Sequence, residues 1–400
     1  MFNSLTAIIS TRITFQDNKS DHPQERPKLF PPKISNRDAE KLLPTLSELL
    51  CHRNPPQDYM SDERIRTAYR SYYHEQSFYK ALSILEEVLL FPSVKNFLNK
   101  QDCIQIADLA TGTGGFVQGI LHGLTEESFP EIMVTLHDRS ESALFAAALE
   151  IRELYSGRPL TIGTHHGVIP DFFPPLSGLH ILSWGNMLNE WEMSQASAKK
   201  LLESIDLALT DGGILLIAEP ADRFSSRTLH QFSNHLLDFL PDFQILAPCP
   251  NNRRGDCPAL LDERDWCHED RPQKFSQELI HASKRLGHIK DSLKMSYLVC
   301  QKKASLETDL SMESGKKDVD AWKMISDMTH ERGLSQSTFC NGREWIPFRM
   351  LKRHKSPAND SFFRLKKGQT IKMELSSSPQ KKGDFFDIPG GTAISLFLEH

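Results

Sequence analysis

The chain has 400 residues, room for two or three domains of about 150 residues each. Its 39% hydrophobic and 25% charged residues are ordinary globular usage and exclude a wholly disordered chain. No run of about 18 apolar residues occurs, so neither a spanning helix nor a membrane partner is expected; the net charge of -5 excludes a chain-wide basic nucleic-acid binder and leaves a local basic region open.

Residues 1–40 are polar, proline-containing and aperiodic, and read as a disordered arm. Residues 41–100 read as a helical segment. Asp62 and Glu63 suit the first turn of a helix, where the dipole favours acids, and Pro92 ends that run. Tyr69, Tyr72, Tyr73, Tyr79, Leu82 and Leu85 keep helical spacing, which favours a packed face over RNA stacking. From 101 to 302 the pattern alternates. IQIADLA, EIMVTLHD, GLHILSWGNML and GGILLIAEP read as strands; FVQGILHGL, SESALFAAALEIRELY and 194–209 read as helices. This predicts an α/β domain on a parallel, doubly wound sheet. Residues 303–330 read as a linker, 331–373 as a small basic β module and 374–400 as a polar tail.

ADLATGTGGF places Asp108 at a strand end, followed by Gly112, Gly114 and Gly115. Glycines serve where a backbone turns sharply and approaches a ligand, and open α/β sheets bind ligands at the carboxyl ends of their strands. Asp138 ends the second strand, where an acid can accept from ribose hydroxyls. The spacing resembles the first motif of Rossmann-type S-adenosylmethionine methyltransferases, acid-x-Gly-x-Gly-x-Gly, here Asp108, Ala110, Gly112 and Gly114. Ala110 stands in the first glycine's place. The dinucleotide pattern fits less well, since Val117 falls where its last glycine belongs. A doubly wound domain that has lost its ligand is the alternative.

The seven cysteines are Cys51, Cys103, Cys249, Cys257, Cys267, Cys300 and Cys340. An odd number without a visible secretory signal argues against a disulfide framework. Cys249, Cys257 and Cys267 fall in a segment, 248–270, whose Pro, Asn, Arg and Asp neighbours do not look like core. They read as a metal site in a reducing compartment. For the fourth ligand Cys340 is preferred. Cys300 ends an apolar strand-like run and suits packing in a sheet, and His268 is awkwardly adjacent to Cys267. An all-sulfur set suits an iron–sulfur cluster or zinc. The loops are wider than those of common zinc knuckles, which favours the cluster. Between 343 and 372, nine basic residues face only Glu344 and Asp360. Arg349, Lys352, Arg353, Lys355, Arg364, Lys366 and Lys367 are expected to meet RNA phosphates.

Longer stretches carry a family resemblance. EPADRF followed by LAPCPNNRRGDCPALLDERDWCH resembles the mitochondrial small-ribosomal-subunit methyltransferase-like family, which includes bacterial members. AYRSYYHEQSFYKALSILEEV resembles its helical segment, ILSWGNMLNE its fourth-strand motif, and FCNGREWIPFRMLKRHKSPANDSFFRLKKGQ its C-terminal module. The likeness covers roughly 60–372. It implies a Rossmann-like class I methyltransferase sheet with an N-terminal helical segment and a small basic C-terminal β module. It also implies a partner, the small ribosomal subunit or its RNA, and a 4Fe–4S cluster on Cys249, Cys257, Cys267 and Cys340. S-adenosylmethionine would be met by Asp108, Ala110, Gly112, Gly114, Asp138 and Asn189. The sequence departs from the family pattern at three places: Asn251 after Pro250, Glu269 after the WCH, and the pair Ala221-Asp222 after Glu219-Pro220.

Two functions follow. The first is an S-adenosylmethionine-dependent methyltransferase acting on small-subunit ribosomal RNA. The second is a non-catalytic assembly factor that binds RNA and carries a structural or sensing metal centre. No residue stands out as a catalytic base. A cytoplasmic monomer is expected; the first 16 residues hold Arg12 and no acid, which leaves the mitochondrial matrix as the alternative.

Overall fold

Apolar strands alternating with amphipathic helices give the first layer of the architecture. The computed structural model describes residues 37–51, 58–126, 131–169, 176–191, 193–251, 253, 255–288, 290–303 and 321–396. Residues 1–36 of the expected arm and 304–320 of the expected linker lie outside the described residues.

Two helices open the described chain, α1 (Arg37–Cys51) and α2 (Glu63–Tyr69). Asp62 caps α2 by accepting from the Arg64 amide. A π-helical turn, Arg70–His74, carries α2 into α3 (Glu75–Val88), and Pro92 opens a further helix, α4 (Pro92–Leu98). Tyr69 and Tyr73 pack against a buried cluster of Leu46, Tyr59, Met60, Ala68 and Ala143.

The first sheet comprises β1 (Ile104–Leu109), β2 (Ile132–Asp138), β3 (Leu160–His166), β4 (Leu179–Gly185), β5 (Leu209–Glu219), β6 (Phe243–Ala247), β7 (Glu269–Pro272) and β8 (Ser292–Lys302). Between them run α5 (Gly115–Glu126), α6 (Glu141–Leu154), α7 (Gln195–Ala208), α8 (Arg223–Phe239) and α9 (Gln277–Arg285). The order is β3-β2-β1-β4-β5-β8-β6, with β7 beside β8. β1 to β4 pair in parallel. β8 runs antiparallel to both β6 and β7, so the all-parallel expectation is corrected at that edge. The chain between β6 and β8 passes through the cysteine segment, and antiparallel neighbours need no βαβ crossover.

Glycine sets how closely α5 packs. Gly115, Gly119 and Gly123 share one face of α5. A Cβ at Gly115 would stand 2.6 Å from the His74 carbonyl oxygen, one at Gly119 2.2 Å from that of Phe78, and one at Gly123 2.8 Å from Leu85. The α3 backbone can therefore lie directly on α5, which anchors the helical segment beside the loop that opens α5.

The second sheet is built from β9 (Ala321–Met324), β10 (Thr329–Glu331), β11 (Leu334–Cys340), β12 (Trp345–Leu351), β13 (Thr370–Glu374), β14 (Gln380–Lys382), β15 (Phe385–Asp387) and β16 (Ala393–Leu396). Its order is β14-β15-β12-β11-β9-β13-β16, with β10 on β11. The module thus begins at Ala321, inside the expected linker, and the expected polar tail supplies three strands. Trp322 and Met324 fill the core with Phe339, Phe348 and Phe362, and Ile388 and Ile394 join it from the tail.

The chain divides into two units. One comprises Met1–Glu190, Glu203–Ile214 and Phe275–Lys290; the other comprises Trp191–Leu202, Leu215–Lys274 and Asp291–His400. The glycine loop belongs to the first, and the four candidate cysteine ligands to the second.

Candidate cofactor and metal sites

In the first unit, Asp108 lies near the end of β1 and is 1% exposed. Its Oδ1 accepts from Ser183 Oγ at 2.7 Å, and Ser183 is its register neighbour on β4. Its Oδ2 is buried with no hydrogen-bond partner among the described residues. Burial pushes the carboxyl up to about 7, against the pull of the Ser183 hydrogen bond; the Thr111 hydroxyl donates to the Asp108 main-chain carbonyl at 2.8 Å. A buried acceptor left open in this way suits a donor brought by a ligand.

Beyond Asp108 the backbone turns through three left-handed residues, Ala110 (φ 50°), Gly112 (φ 54°) and Gly114 (φ 80°). Asp138 holds this turn: its Oδ2 accepts from the Gly112 amide at 2.7 Å and its Oδ1 from the Ser140 amide at 2.8 Å. Each carboxylate oxygen keeps a further lone pair. Asn189 sits half-buried in the turn Leu188–Glu190, which follows β4. β4 runs parallel to β1 beside it, so that turn opens at the same edge of the sheet as the glycine loop.

Glu190 ends the motif ILSWGNMLNE, which makes it a candidate pocket residue beside Asn189; the partners around it are not singled out in the sequence. Glu190 accepts from Tyr59 Oη at 3.2 Å and pairs with Arg139 at 2.8 Å, while the Arg139 guanidinium lies 5.5 Å from the Tyr59 ring centre. Asn186, left-handed at φ 60°, accepts from Lys80 Nζ at 3.4 Å. His74 reaches Thr113 Oγ1 at 3.1 Å and Gln118 Oε1 at 3.3 Å; burial lowers its pKa to about 4 and keeps it neutral. Asn186 carried a local signal, an Asn after Gly185 at a strand end, and Glu190 one in the motif ILSWGNMLNE; Tyr59, Arg139 and His74 carried none.

In the second unit, Cys249 follows β6, Cys257 precedes a 3-10 turn (Pro258–Leu260), Cys267 lies just before β7, and Cys340 ends β11. Among the described residues no three His, Cys, Asp or Glu side chains are set as a metal-ligand group. The four thiols are nonetheless electrostatic neighbours. Burial lifts Cys267 well above its ordinary range, and Cys340, Cys257 and Cys249 raise it further. Burial and then Cys249 push Cys257 up to about 12. Cys340 also rises to about 12, through burial first and then Cys249. Cys300 is fully buried in β8, and His268 Nε2 faces Lys367 Nζ at 2.8 Å.

The family departures prove to be stitches. Asn251, left-handed at φ 58°, donates to the carbonyls of Ala321 at 2.9 Å and Asn341 at 3.0 Å, and accepts from the Ala321 amide at 3.3 Å. Glu269 is buried against Lys323, Arg271 and the Tyr297 hydroxyl. Burial alone would raise its carboxyl, but the Lys323 and Arg271 charges hold it down at about 2. Lys323 is in turn the register partner of Cys340. Asp222 caps α8, accepting from the Phe224 and Ser225 amides, both at 3.0 Å.

Of the expected RNA contacts, Lys352, Arg353, Lys355, Arg364 and Lys366 are exposed. Lys355 and Arg364 share Asp360 at 2.7 and 2.6 Å. Arg349 is half-buried and pairs with Asp387 at 2.7 Å, and Lys367 is half-buried against His268. Asp387 escaped the local charge count because it comes from the folded tail.

The strand order, the antiparallel last strands and the glycine loop after β1 define a Rossmann-like class I methyltransferase sheet. Residues 162–327 match the family model described as mitochondrial small ribosomal subunit Rsm22, in agreement with the resemblance read from the motifs. The match includes Cys249, Cys257 and Cys267 and stops before Cys340. No curated protein matches the chain. Among solved structures, a plantazolicin methyltransferase, BpumL, in complex with a monoazolic desmethylPZN analogue and SAH is 14% identical. It covers 66% of this chain and 99% of its own, with a TM-score of 0.37. Loganic acid methyltransferase with SAH is 11% identical over 59% and 96%, with a TM-score of 0.39. Magnesium protoporphyrin IX methyltransferase from Synechocystis PCC 6803, with bound SAM, is 10% identical over 68% and 100%, with a TM-score of 0.37. No helix among the described residues is long and apolar enough to cross a membrane.

Proposed function

We propose that the chain is an S-adenosylmethionine-dependent methyltransferase that acts on or with small-subunit ribosomal RNA. The observation that carries this reading is the buried, unpartnered Oδ2 of Asp108 beside a left-handed glycine turn. In this reading Asp108 accepts from the ammonium of the methionine moiety. Ala110, Gly112 and Gly114 let the backbone approach the cofactor. Asp138 holds the turn and offers its remaining lone pairs to the ribose, and Asn189 borders the same edge. The cofactor, when bound, supplies an electrophilic methyl group. The protein's contribution is to fix donor and acceptor in line, and positioning alone can supply much of the rate. A base in structured RNA must be unstacked to be reached. The ribosomal part of the proposal is supported by the family match, and RNA contact by the exposed cations from Lys352 to Lys366.

Cys249, Cys257, Cys267 and Cys340 would hold a 4Fe–4S cluster, with zinc as the alternative. Four soft donors that raise one another's pKa, in one unit, support this set. The chain would work as a monomer beside the subunits it serves, in the cytoplasm or the mitochondrial matrix. One feature favours the second reading, an assembly factor that transfers nothing: Ala110 keeps a strained left-handed turn where the methyltransferase motif has glycine.

The test uses small-subunit RNA and labelled S-adenosylmethionine. The enzyme reading predicts label in RNA, lost in Asp108→Asn. Cofactor and subunit binding with no label transferred would select the assembly-factor reading.

A further inference from the structure

Side chains alternate along a strand, so the second sheet has two faces. One is closed: Phe339, Phe348 and Met350 are buried in the core, and Phe386 packs against it. Their strand neighbours point the other way, Leu334 and Gln336 on β11, Pro347, Arg349 and Leu351 on β12, and Phe385 on β15. The registers agree. Leu334 lies opposite Leu351 and Gln336 opposite Arg349, and Arg349 is the parallel neighbour of Asp387. All six are half-buried, and Leu334, Pro347, Leu351 and Phe385 lie outside the core cluster.

Phe385 is held between cations. The Arg349 guanidinium lies 5.8 Å from its ring centre, and Arg349 Nε donates to Asp387 Oδ1 at 2.7 Å. Lys382, the register partner of Phe385, reaches Asp387 Oδ2 at 3.3 Å. Asp387 thus fixes both cations beside the ring. At the Leu334–Leu351 end of the face, the Lys352 amide donates to the Gly333 carbonyl at 2.8 Å, which gathers the exposed Arg332, Lys352 and Arg353. Across face and rim, Arg332, Arg349, Lys352, Arg353 and Lys382 stand against Glu331, Asp384 and Asp387. Glu331 is engaged by Gln336 Nε2 at 3.0 Å. An apolar face with an aromatic ring against a guanidinium, rimmed by cations, complements a polyanion whose flat rings are turned outward.

We propose that the outward face of β11, β12 and β15 binds unpaired RNA, with one base stacked on Phe385 beside Arg349 and the phosphates met by Arg332, Lys352 and Arg353. This deepens the RNA contact proposed above and rests on it. In a duplex each base is already stacked between its neighbours, so a ring that takes a base face selects single strands, loops or bulges. Stacking is tolerant of sequence, because every base has a π-face. The face therefore selects strand state, and the cations supply sequence-independent attraction.

The experiment titrates the full chain, across a salt series, with an unstructured RNA of about twelve nucleotides and with the same strand annealed to its complement. Wild type is expected to bind the single strand about tenfold more tightly than the duplex. Phe385→Ala is expected to lose about tenfold for the single strand with an unchanged salt slope, because stacking releases no counter-ions. Phe385→Tyr, which keeps the ring, is expected to stay near wild type. Equal wild-type affinity for both probes would overturn the inference. So would wild-type affinity in Phe385→Ala, which would leave the face to a protein segment, or equal losses in Ala and Tyr, which would make Phe385 a packing residue. If Phe385→Ala does not fold, Phe385→Leu decides: loss of single-strand affinity at an unchanged salt slope supports stacking, and wild-type affinity overturns it. A wild-type chain that binds neither probe would instead sink the RNA reading itself, and that outcome appears in the wild-type arm alone.

Discussion

A carboxyl held at about 7 inside the fold, as Asp108 is, ties stability to pH. Its folded pKa lies above the unfolded value of about 3.9, so the folded state binds the proton more tightly. The resulting stability is fully present below about pH 4, falls as pH rises toward 7, and is level above. Thermal melts at pH 5 and pH 8 should therefore differ for wild type and differ less for Asp108→Asn. A ligand ammonium would hold Asp108 ionised, so the same substitution should weaken S-adenosylmethionine binding at least tenfold by calorimetry. An equal pH response in both proteins would contradict the burial account. At Ala110 the left-handed conformation costs an L-residue about 1–2 kcal/mol, and glycine relieves this while adding unfolded-state entropy. Ala110→Gly should stabilise the chain by about 0.5–1 kcal/mol in chemical denaturation. Asp108, Gly112 and Gly114 were legible because an acid and a turn follow a strand within a few residues. Glu190 was legible in its motif, but Tyr59 and Arg139 were not, because they meet it only once three distant segments have folded.

At the scale of elements, the α3–α5 contact depends on absent side chains. Gly119→Ala would push a methyl group into the Phe78 carbonyl, which backbone cannot easily avoid. A loss of about 2–3 kcal/mol is expected from overpacking, read by chemical denaturation, with the 58–98 segment becoming protease-sensitive. Asn251→Ala removes three hydrogen bonds and a residue suited to a left-handed turn, so a loss of similar size is expected. Limited proteolysis should then cut more readily within 321–396. The glycine stripe stands in plain view in GGFVQGILHG, with Gly119 and Gly123 inside the expected helix, but nothing local says which helix it meets. β14, β15 and β16 are three or four residues long, too short for alternation to be read. β9 was lost to the linker because AWKM is one short apolar run behind a long polar stretch.

Across the whole molecule, a chain of net charge -5 puts thirteen Lys and Arg against seven Asp and Glu in residues 321–396. Filter binding to small-subunit RNA should weaken steeply with salt, and changing Lys352, Arg353 and Lys355 together to Glu should lower both affinity and salt slope. Arg349→Glu should instead act through the fold, by breaking the pair with Asp387. The alternating strands and the acid-turn motif made the first sheet legible, but its antiparallel edge depends on how the cysteine segment returns, which no local pattern records. The central claim is that the loop after β1 binds an adenosyl cofactor. Titration calorimetry of the full chain with S-adenosylmethionine tests it most directly. The account predicts saturable binding, weakened in Asp108→Asn and abolished in Gly112→Arg; a wild-type chain that gives no binding heat and no thermal shift at millimolar cofactor would contradict it.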